Sequence, residues 1–408
     1  MSKLELPHVI PEFEKANCGA CRLNCNSRLQ LAGAGKRKIL LLFDSQDSIQ
    51  QATKTYFCGS HYTYVRDVLY RYGVTSDDVW MTSTIQCFTN KPEESNAIHC
   101  RPNICKMIKT LKPQLVICFG ELTAKVLLSD VIEDGIYLDR VHGLPHPSRK
   151  FNCMMMFTYL PHPSTYKKDS IEDYLIRRDI HVAMRSLQKP FPSFKDENQC
   201  VRVLSPKDAC KELRMRIDDD RKRFSALDYE TNCLKPYNSN SKLISCAIAE
   251  SEDDSFSFMI TDETAPLLRE YWQTPHIKKI VHHAAFERYW TIVKLGVVPY
   301  NLRIDTMLMA HALDNRDIGW LSIKFLAPML TGCALWNKHI ESMISSTDAD
   351  KKLYGEYALN KIEQIPQRQM LVYNAIDALT EFRIFRILAD YLKNYYNTFP
   401  SQDTICKL

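Results

Sequence analysis

The sequence contains no apolar run that approaches the roughly 20 residues a helix needs to cross a bilayer. It also has few glycines, 12 beside 19 prolines, which excludes a collagen-like or low-complexity chain. A hydrophobic fraction of 45% with a charged fraction of 25% excludes a mostly disordered chain. The segment Met1–Lys15 carries acids and prolines, where a secretion signal carries a basic and then an apolar stretch. We therefore expect a soluble cytoplasmic protein without membrane contact.

Length, charge and cysteine distribution predict two domains. A chain of 408 residues suggests two domains of about 200 residues each. The first 200 residues hold 26 basic and 21 acidic residues and ten of the 15 cysteines, whereas the rest holds 27 basic and 27 acidic residues. An odd number of cysteines favours metal ligation or burial over a disulfide framework. The segment Lys189–Asn198 has proline and charge but no helical or strand period. It predicts a first domain over 1–190, a linker over 191–200, a second domain over 201–395 and a tail over 396–408.

Strand and helix patterns alternate in both halves, which predicts two α/β domains. In the first half, Lys38–Phe43 and Gln114–Phe119 are continuous apolar runs, typical of strands that are buried on both faces. The second half begins with three strand patterns and continues with helical patterns. These strands are Phe224–Tyr229, Leu243–Ala249 and Ser255–Ile260, and the helices include Ala284–Leu295, Thr306–Leu313 and Gln364–Tyr395.

Three acidic elements in the second half point to a metal site. Asp228 and Glu230 end a predicted strand, and side chains two residues apart point to the same face of a strand. The segment His282–Glu287 marks a strand that turns into a helix, and Tyr373 and Asp377 lie one turn apart on a predicted helix. Carboxylates are the ligands that hard divalent cations prefer. An isolated pair of acids is more often a solvated strand end, so the hypothesis depends on all three elements.

This set resembles the DEDDy type of proofreading 3′–5′ exonucleases, found in family A DNA polymerases and in separate exonuclease subunits. The resemblance covers roughly residues 200–395. It implies a ribonuclease H-like domain with a mixed sheet. Such a domain hydrolyses phosphodiesters with two Mg²⁺ or Mn²⁺ ions and releases mononucleotides from single-stranded or frayed 3′ ends of DNA. The implied metal ligands are Asp228, Glu230, Glu287 and Asp377. Tyr373, whose ordinary pKa of about 10 makes it a poor base, would orient the attacking hydroxide.

The second motif departs from this family. His283 and Glu287 stand where the family has asparagine and aspartate. Glutamate carries the same charge as aspartate on a longer side chain, so it can still coordinate a metal ion with a shifted geometry. If it does not survive, the chain is a non-enzymatic scaffold that binds a polymerase and DNA. Asp305 is the nearest alternative ligand, although the family uses this position to begin a structural helix.

Four cysteines in the first half form a candidate cofactor site. They are Cys18, Cys21, Cys87 and Cys100. The first two form a CxxC pair, whereas the other two are 13 positions apart. Zinc ribbons normally close with a second tight pair, so this open spacing favours a four-cysteine [4Fe–4S] cluster, with zinc as the alternative. Cys25 and Cys105 are the alternative ligands.

Residues 10–185 resemble the iron–sulfur uracil-DNA glycosylases of the family 4 type. The resemblance is carried by the CxxC pair, Thr82–Cys87, Cys100–Pro102, Leu111–Gly120 and Thr158–Ser164. It implies a parallel-sheet domain in which the four cysteines hold the cluster. It also implies that His162 and Ser164, in a His-Pro-Ser loop, grip the DNA backbone.

The residues that would carry the glycosylase chemistry differ from those of this family. The family's water-activating loop contains glycines, but Phe43–Ser48 contains none, and Ser83 replaces the family's uracil-recognising asparagine. Base excision needs a fitted pocket that reads the extruded base. We therefore expect a domain that holds DNA without excising uracil, with excision through Asp44 or Asp47 as the alternative.

The two modules in this order resemble the N-terminal part of certain bacteriophage DNA polymerases. About 13 residues follow the last predicted exonuclease helix, which is too few for a polymerase domain. We expect a separate proofreading subunit, or an N-terminal piece, that acts with a DNA polymerase chain in phage DNA replication in the host cytoplasm.

Overall fold

The computed structural model describes residues 18–24, 26, 28–29, 31–132, 135–161, 170–314, 319–336 and 340–396. The chain divides into two compact units: unit 1 is Met1–Pro192 with Pro328–Gly332, and unit 2 is Ser193–Ala327 with Cys333–Leu408. Within the described ranges, no helix is long and apolar enough to span a membrane. The predicted DNA contacts His162 and Ser164, the alternative ligand Cys25 and all of the predicted tail beyond Tyr396 lie outside the described residues.

Unit 1 contains a five-stranded sheet. In the sequence, helices separate most of its strands. The elements are β1 (Ile39–Ser45), α1 (Ser48–Thr53), α2 (Gly59–Tyr70), β2 (Val79–Ile85), α3 (Glu94–Leu111), β3 (Leu115–Phe119), α4 (Glu121–Leu128), α5 (Leu138–Val141), β4 (His146–Ser148), β5 (Cys153–Thr158) and α6 (Ile171–Ser186). The strand order is β2-β1-β3-β5-β4, and all neighbours are parallel except β4, which is antiparallel to β5. Every residue of β3 is buried, as expected of a strand that is covered on both faces.

Unit 2 contains a six-stranded mixed sheet. The elements are β6 (Val201–Val203), α7 (Pro206–Asp218), β7 (Arg223–Thr231), β8 (Leu243–Ala249), β9 (Ser255–Met259), α8 (Thr264–Gln273), β10 (Ile277–Val281), α9 (Ala284–Trp290), β11 (Leu302–Asp305), α10 (Thr306–Leu313), α11 (Ile323–Thr331, whose last four residues belong to unit 1), α12 (Glu341–Ile344), α13 (Asp348–Tyr354) and α14 (Gln367–Tyr396). The strand order is β11-β10-β7-β8-β9-β6. Strand β8 is antiparallel to β7 and β9, and the remaining neighbours are parallel. The prediction of two α/β domains, the second with a mixed sheet, is confirmed.

Small side chains on one face of the second sheet allow α14 to lie close to it. They are Ala226, Ala247, Ala249, Ser255 and Ser257. The hydroxyls of the two serines donate hydrogen bonds to the backbone oxygens of Ala375 (2.7 Å) and Leu371 (2.6 Å) in α14. Because side chains alternate along β7, Asp228 and Glu230 share the face of Ala226 and point toward α14, whereas Leu227 belongs to the core on the opposite face. The sheet therefore presents both acids to the helix that carries Asp377.

The predicted linker differs from the observed boundary. The two units meet in sequence between Pro192 and Ser193, so most of the segment 191–200 belongs to unit 2. Glu197 in this segment is buried, and its carboxylate pairs with the guanidinium of Arg383 at 2.5 Å. An irregular sequence pattern showed that the segment forms neither a long helix nor a strand, but it could not show that a residue far along the chain holds it in the interior.

Candidate active site

Three carboxylates from two distant parts of unit 2 converge beside α14. Asp228 and Glu230 come from β7, where they pair with Ala247 and Ser245 of β8. Asp377 comes from the middle of α14. One carboxylate oxygen from each acid lies within 4.8 Å of the other two. In the part of the chain that the structure describes, this is the one group of three or more acids, histidines and cysteines that lie this close together.

Asp228 and Glu230 are held at a high electrostatic cost. Burial raises the pKa of Asp228 well above its ordinary value, and the charge of Asp377 raises it further. Burial also raises the pKa of Glu230, with Asp228 and Asp377 adding to the effect. Like charges that cannot be solvated favour either protonation or a bound cation. The chemistry of the three oxygen donors therefore fits a hard divalent cation.

Asn374 fixes the position of Asp228. Its side-chain amide donates a hydrogen bond to the Asp228 carboxylate at 2.6 Å, and the Ser245 hydroxyl donates to the Asn374 side-chain oxygen at 2.9 Å. Asn374 is fully buried. Sequence reasoning missed this residue, although it lies next to Tyr373 in the third motif. The hydrogen bonds leave the Asp228 side chain little freedom to turn away from Asp377.

Lys324 and Trp336 contact Asp377 from the other side. The Lys324 ammonium pairs with the Asp377 carboxylate, and the Trp336 indole N–H donates to the same carboxylate oxygen at 2.8 Å. The ammonium also lies over the rings of Trp336 and Tyr373, 4.3 and 4.4 Å from their centroids. Sequence reasoning missed both residues, because nothing in the local sequence reveals a tertiary contact.

Tyr373 remains protonated in this site. Burial raises the pKa of its phenol well above the ordinary value, and the charges of Asp377, Glu230 and Asp228 raise it further. A phenol that stays protonated can donate a hydrogen bond but cannot accept a proton as a base. The protonated Tyr373 phenol can therefore position a reactant by donating a hydrogen bond to it.

Glu287 faces the same pocket from α9. That helix begins after His283, which has a left-handed backbone with φ of 80°. Asparagine, aspartate and histidine tolerate this conformation better than most residues, so His283 can occupy the turn. Glu287 is only 2% exposed, and it lines the pocket with Asp228 and Asp377 without belonging to the group of three.

Asp305 is not placed to act as the alternative ligand. Its carboxylate accepts hydrogen bonds from the backbone N–H groups of Ala284 (2.8 Å) and Met307 (2.9 Å), near the starts of α9 and α10. It therefore caps two helices, which corrects the expectation that it could replace Glu287. His282 stays neutral, since burial lowers its pKa to about 4, and its Nδ1 lies 2.8 Å from the Thr306 hydroxyl.

These side chains surround an open pocket of about 250 Å³. Its lining consists of Asp228, Tyr229, Glu230, His282, His283, Phe286, Glu287, Ile323, Lys324, Tyr373, Asp377 and Glu381. Glu381, one turn beyond Asp377 on α14, is a further acid that sequence reasoning missed. The i, i+4 spacing from Asp377 was the available signal.

In unit 1 the four candidate cysteines lie close enough together for their charges to affect the pKa of Cys87 or Cys100. Burial raises the pKa of the Cys100 thiol, and Cys21 and Cys18 raise it further. Burial also raises the pKa of the Cys87 thiol, and Cys100 is the largest charged contribution. Cys105 lies near Lys150 and Arg101 instead, which argues against it as a substitute ligand.

The residues considered for uracil excision serve structural roles in unit 1. The Asp44 carboxylate accepts hydrogen bonds from the backbone N–H (2.8 Å) and the hydroxyl (2.8 Å) of Thr123 at the start of α4, and burial raises its pKa to about 6. Asp47 caps α1 by accepting from the backbone N–H of Gln50 at 2.7 Å. The buried Ser83 hydroxyl donates to the backbone oxygen of Ile85 at 2.8 Å.

Comparison with known proteins identifies both domains. Residues 38–173 match the uracil DNA glycosylase superfamily, and residues 203–393 match the 3′–5′ exonuclease family. The chain thus carries a uracil DNA glycosylase superfamily domain followed by a 3′–5′ exonuclease domain.

Individual relatives each match one part of the chain. A type-4 uracil-DNA glycosylase of Pyrobaculum aerophilum is 25% identical over 153 residues, which cover 36% of this chain and 78% of that protein. The catalytic core of RRP6 from Trypanosoma brucei is 15% identical, with a TM-score of 0.38 over 51% of either chain. NrnC from Brucella melitensis is 17% identical, with a TM-score of 0.35 over 49% of this chain and 84% of its own. The chain thus spans about half the length of the RRP6 core.

Proposed function

We propose that unit 2 is a divalent-metal-dependent 3′–5′ exonuclease that shortens DNA strands, and that unit 1 holds DNA without excising bases. The observation that carries the nuclease proposal is the convergence of Asp228, Glu230 and Asp377 within 4.8 Å. Three carboxylates at this distance, with Glu230 and Asp377 buried and Asp228 half-buried, are unfavourable unless a cation neutralises them.

Four side chains in the pocket have defined tasks in the proposed phosphodiester hydrolysis. Asp228, Glu230 and Asp377 would hold divalent cations, whose charge stabilises the attacking and leaving oxygens of an in-line displacement. The protonated phenol of Tyr373 donates a hydrogen bond that orients the attacking water. The water oxygen bonds to phosphorus, the bond from phosphorus to the 3′ oxygen of the preceding nucleotide breaks, and that oxygen takes up a proton. The products are a 5′-mononucleotide and a strand with a new 3′ hydroxyl.

The pairing of the two domains supports DNA as the substrate. A uracil DNA glycosylase superfamily domain and a 3′–5′ exonuclease domain lie in one chain, over residues 38–173 and 203–393. In unit 1 the Asp44 carboxylate and one oxygen of the Asp47 carboxylate accept hydrogen bonds in helix caps, which supports DNA holding over base excision. We further propose that the exonuclease removes mismatched 3′ ends beside a DNA polymerase chain, in the host cytoplasm if the chain belongs to a phage.

Digestion of matched oligonucleotides tests this proposal. Strands labelled at the 5′ end, as DNA, RNA and uracil-containing DNA, are incubated with the full chain and Mg²⁺. We expect the two DNA strands to shorten one nucleotide at a time at equal rates, RNA to shorten at least about tenfold more slowly, and the uracil-containing strand to gain no alkali-sensitive break. Chelator should stop all shortening. Faster digestion of RNA would contradict the DNA assignment, and shortening that continues in chelator would contradict the metal mechanism.

We also propose that Cys18, Cys21, Cys87 and Cys100 hold an iron–sulfur cluster. Four thiols that are electrostatic neighbours match the donor set of such a cluster. No three of their sulfurs, all within the described ranges, lie within 4.8 Å of one another. Tetrahedral zinc, with zinc–sulfur bonds of about 2.3 Å, would draw the four sulfurs to about 3.8 Å from each other. The wider spacing of the four sulfurs supports an iron–sulfur cluster, which is larger than a single zinc ion.

Metal analysis of anaerobically purified protein checks the cluster. We expect broad visible absorbance and about four iron atoms per chain. Cys100→Ser should lose more than half of the iron because it removes one of four ligands, whereas Cys105→Ser should keep it. Stoichiometric zinc without iron, or equal iron in both variants, would contradict the assignment.

A further inference from the structure

Two exposed tyrosines lie side by side on the surface of unit 2. Tyr237 belongs to the loop between β7 and β8, and Tyr289 belongs to α9. Their ring centroids are 6.4 Å apart, and the ring planes are inclined by 52°. Tyr237 is 58% exposed and Tyr289 is 43% exposed. Both rings therefore present large apolar faces to the solvent, where a planar partner can stack on them.

The loop that carries Tyr237 is held in a fixed shape. The side-chain amide of Asn232 donates a hydrogen bond to the backbone oxygen of Asn240 at 2.9 Å, which ties the two ends of the loop together. Lys294, on the helical turn that continues α9, donates to the backbone oxygen of Asn238 in the same loop at 3.2 Å. The loop and the helix thus form one surface. Tyrosines on such a surface lose little conformational entropy when they bind a partner.

Basic side chains surround the two rings. The Lys235 ammonium lies 5.9 Å from the centroid of the Tyr289 ring, and Arg288 is exposed next to Tyr289 on α9. Lys294 adds a third positive charge. The Lys235 ammonium is 3.5 Å from the Glu356 carboxylate, but both groups remain accessible to solvent, and such a pair contributes little. These side chains together carry an excess of positive charge, which suits a polyanion.

Helix α9 connects this surface to the candidate active site. Phe286 and Glu287, in the first turns of α9, line the pocket of the carboxylates. Tyr289 lies three residues after Phe286, which places the two rings on the same side of the helix and about 4.5 Å apart along its axis. The loop of Tyr237 follows Glu230, which lines the same pocket. The surface therefore begins where the pocket ends.

We propose that Tyr237 and Tyr289 form a platform on which the substrate strand stacks its unpaired bases upstream of the released nucleotide, while Lys235 and Lys294 contact its phosphates. The inference rests on the proposed function, because it takes the carboxylate pocket as the position of the 3′ end. Stacking on aromatic rings tolerates every base, and ammonium groups contact phosphates without reading sequence. The platform thus suits a nuclease that shortens single strands of any sequence.

The dependence of KM on strand length tests the platform. Tyr237→Ala combined with Tyr289→Ala should raise KM for a single DNA strand of about ten nucleotides at least about tenfold, because each lost base stack weakens binding by about tenfold. The kcat should change little, since neither ring lines the described pocket of the carboxylates. The KM for a dinucleotide, which leaves most of the platform uncovered, should stay the same. Changing both tyrosines to Phe keeps the rings and should preserve the wild-type KM.

Tyr300→Ala is the matched control for the tyrosine variants. Tyr300 is 57% exposed and precedes β11, so it lies at the opposite end of the parallel strands from Glu230. Its KM for the long strand should equal that of the wild type. Lys235→Met should make the plot of log KM against log salt shallower by roughly 0.7, the value for one phosphate contact of a single strand.

Photo-crosslinking in chelator separates this inference from the proposed function. Single strands of 5-iodouracil nucleotides are irradiated with the full chain, and the crosslinked peptides are identified by mass spectrometry. We expect crosslinks at Tyr237 or Tyr289. If these crosslinks form but the wild type digests no strand, the nuclease proposal fails and the platform stands as a strand-binding surface. An unchanged KM for long strands in the double alanine variant, or an equal increase in the double Phe variant or in Tyr300→Ala, would overturn the inference.

Discussion

Asp228→Asn is expected to lower the rate of mononucleotide release about a thousandfold. Asp228 belongs to the group of three carboxylates, and its charge makes the largest charged contribution to the raised pKa values of Glu287 and Glu381, so its loss weakens cation binding in the pocket. Cation stabilisation of the transition state contributes several kcal/mol, and roughly 4 kcal/mol corresponds to a thousandfold change in rate. The measurement is the initial rate of digestion of single-stranded DNA in Mg²⁺.

Asp262→Asn is the matched control for this prediction. It makes the same chemical change at an exposed position in unit 2, and its rate should equal that of the wild type. Asp228→Asn should also stay folded, because removal of a buried charge relieves repulsion by Asp377. A folded Asp228→Asn variant that digests DNA within tenfold of the wild-type rate would contradict the proposed role of this residue.

Arg383→Met is expected to destabilise unit 2 by about 3–5 kcal/mol, the usual result of removing one partner of a buried ion pair. Arg383 has no exposed surface. Its guanidinium pairs with Glu197 at 2.5 Å and donates to the backbone oxygens of Glu252 (2.8 Å) and Lys195 (3.1 Å). The substitution removes the guanidinium that pairs with the buried Glu197 carboxylate. The measurement is the free energy of unfolding of the full chain in urea.

Two further variants distinguish the effect of losing the ion pair from a general loss of packing. Arg386→Met makes the same change at an exposed position on the same helix, and it should alter the free energy of unfolding by less than about 0.5 kcal/mol. Adding Glu197→Gln to Arg383→Met should restore part of the lost stability, because it removes the carboxylate charge that Arg383 neutralises. If Arg383→Met and Arg386→Met are equally stable, the buried ion pair does not hold the segment 193–200 to unit 2.

The sequence predicted those parts of the site that depend on local periodicity. The i, i+2 rule places Asp228 and Glu230 on one face of β7, and the i, i+4 rule places Tyr373 and Asp377 on one face of a helix. The structure shows both pairs beside the same pocket. The same helical rule, extended by one turn, would have found Glu381.

Tertiary contacts account for what the sequence did not reveal. Lys324 meets Asp377 across 53 residues of chain, and Asn374 meets Asp228 across 146. Asp44 was considered as a base for excision because it lies at the position of the family's water-activating loop. Strands β1 and β3 are neighbours, so Asp44 lies at the start of α4, which follows β3, and caps that helix. Such roles depend on which strands pair, which local patterns do not encode.

The location of Mn²⁺ in crystals of the full chain, read from its anomalous scattering, tests the central claim most directly. We predict a strong peak within coordinating distance of the Asp228, Glu230 and Asp377 carboxylates, with Lys324 no longer paired with Asp377. An empty carboxylate pocket at saturating Mn²⁺, with the Lys324–Asp377 pair intact, would contradict it.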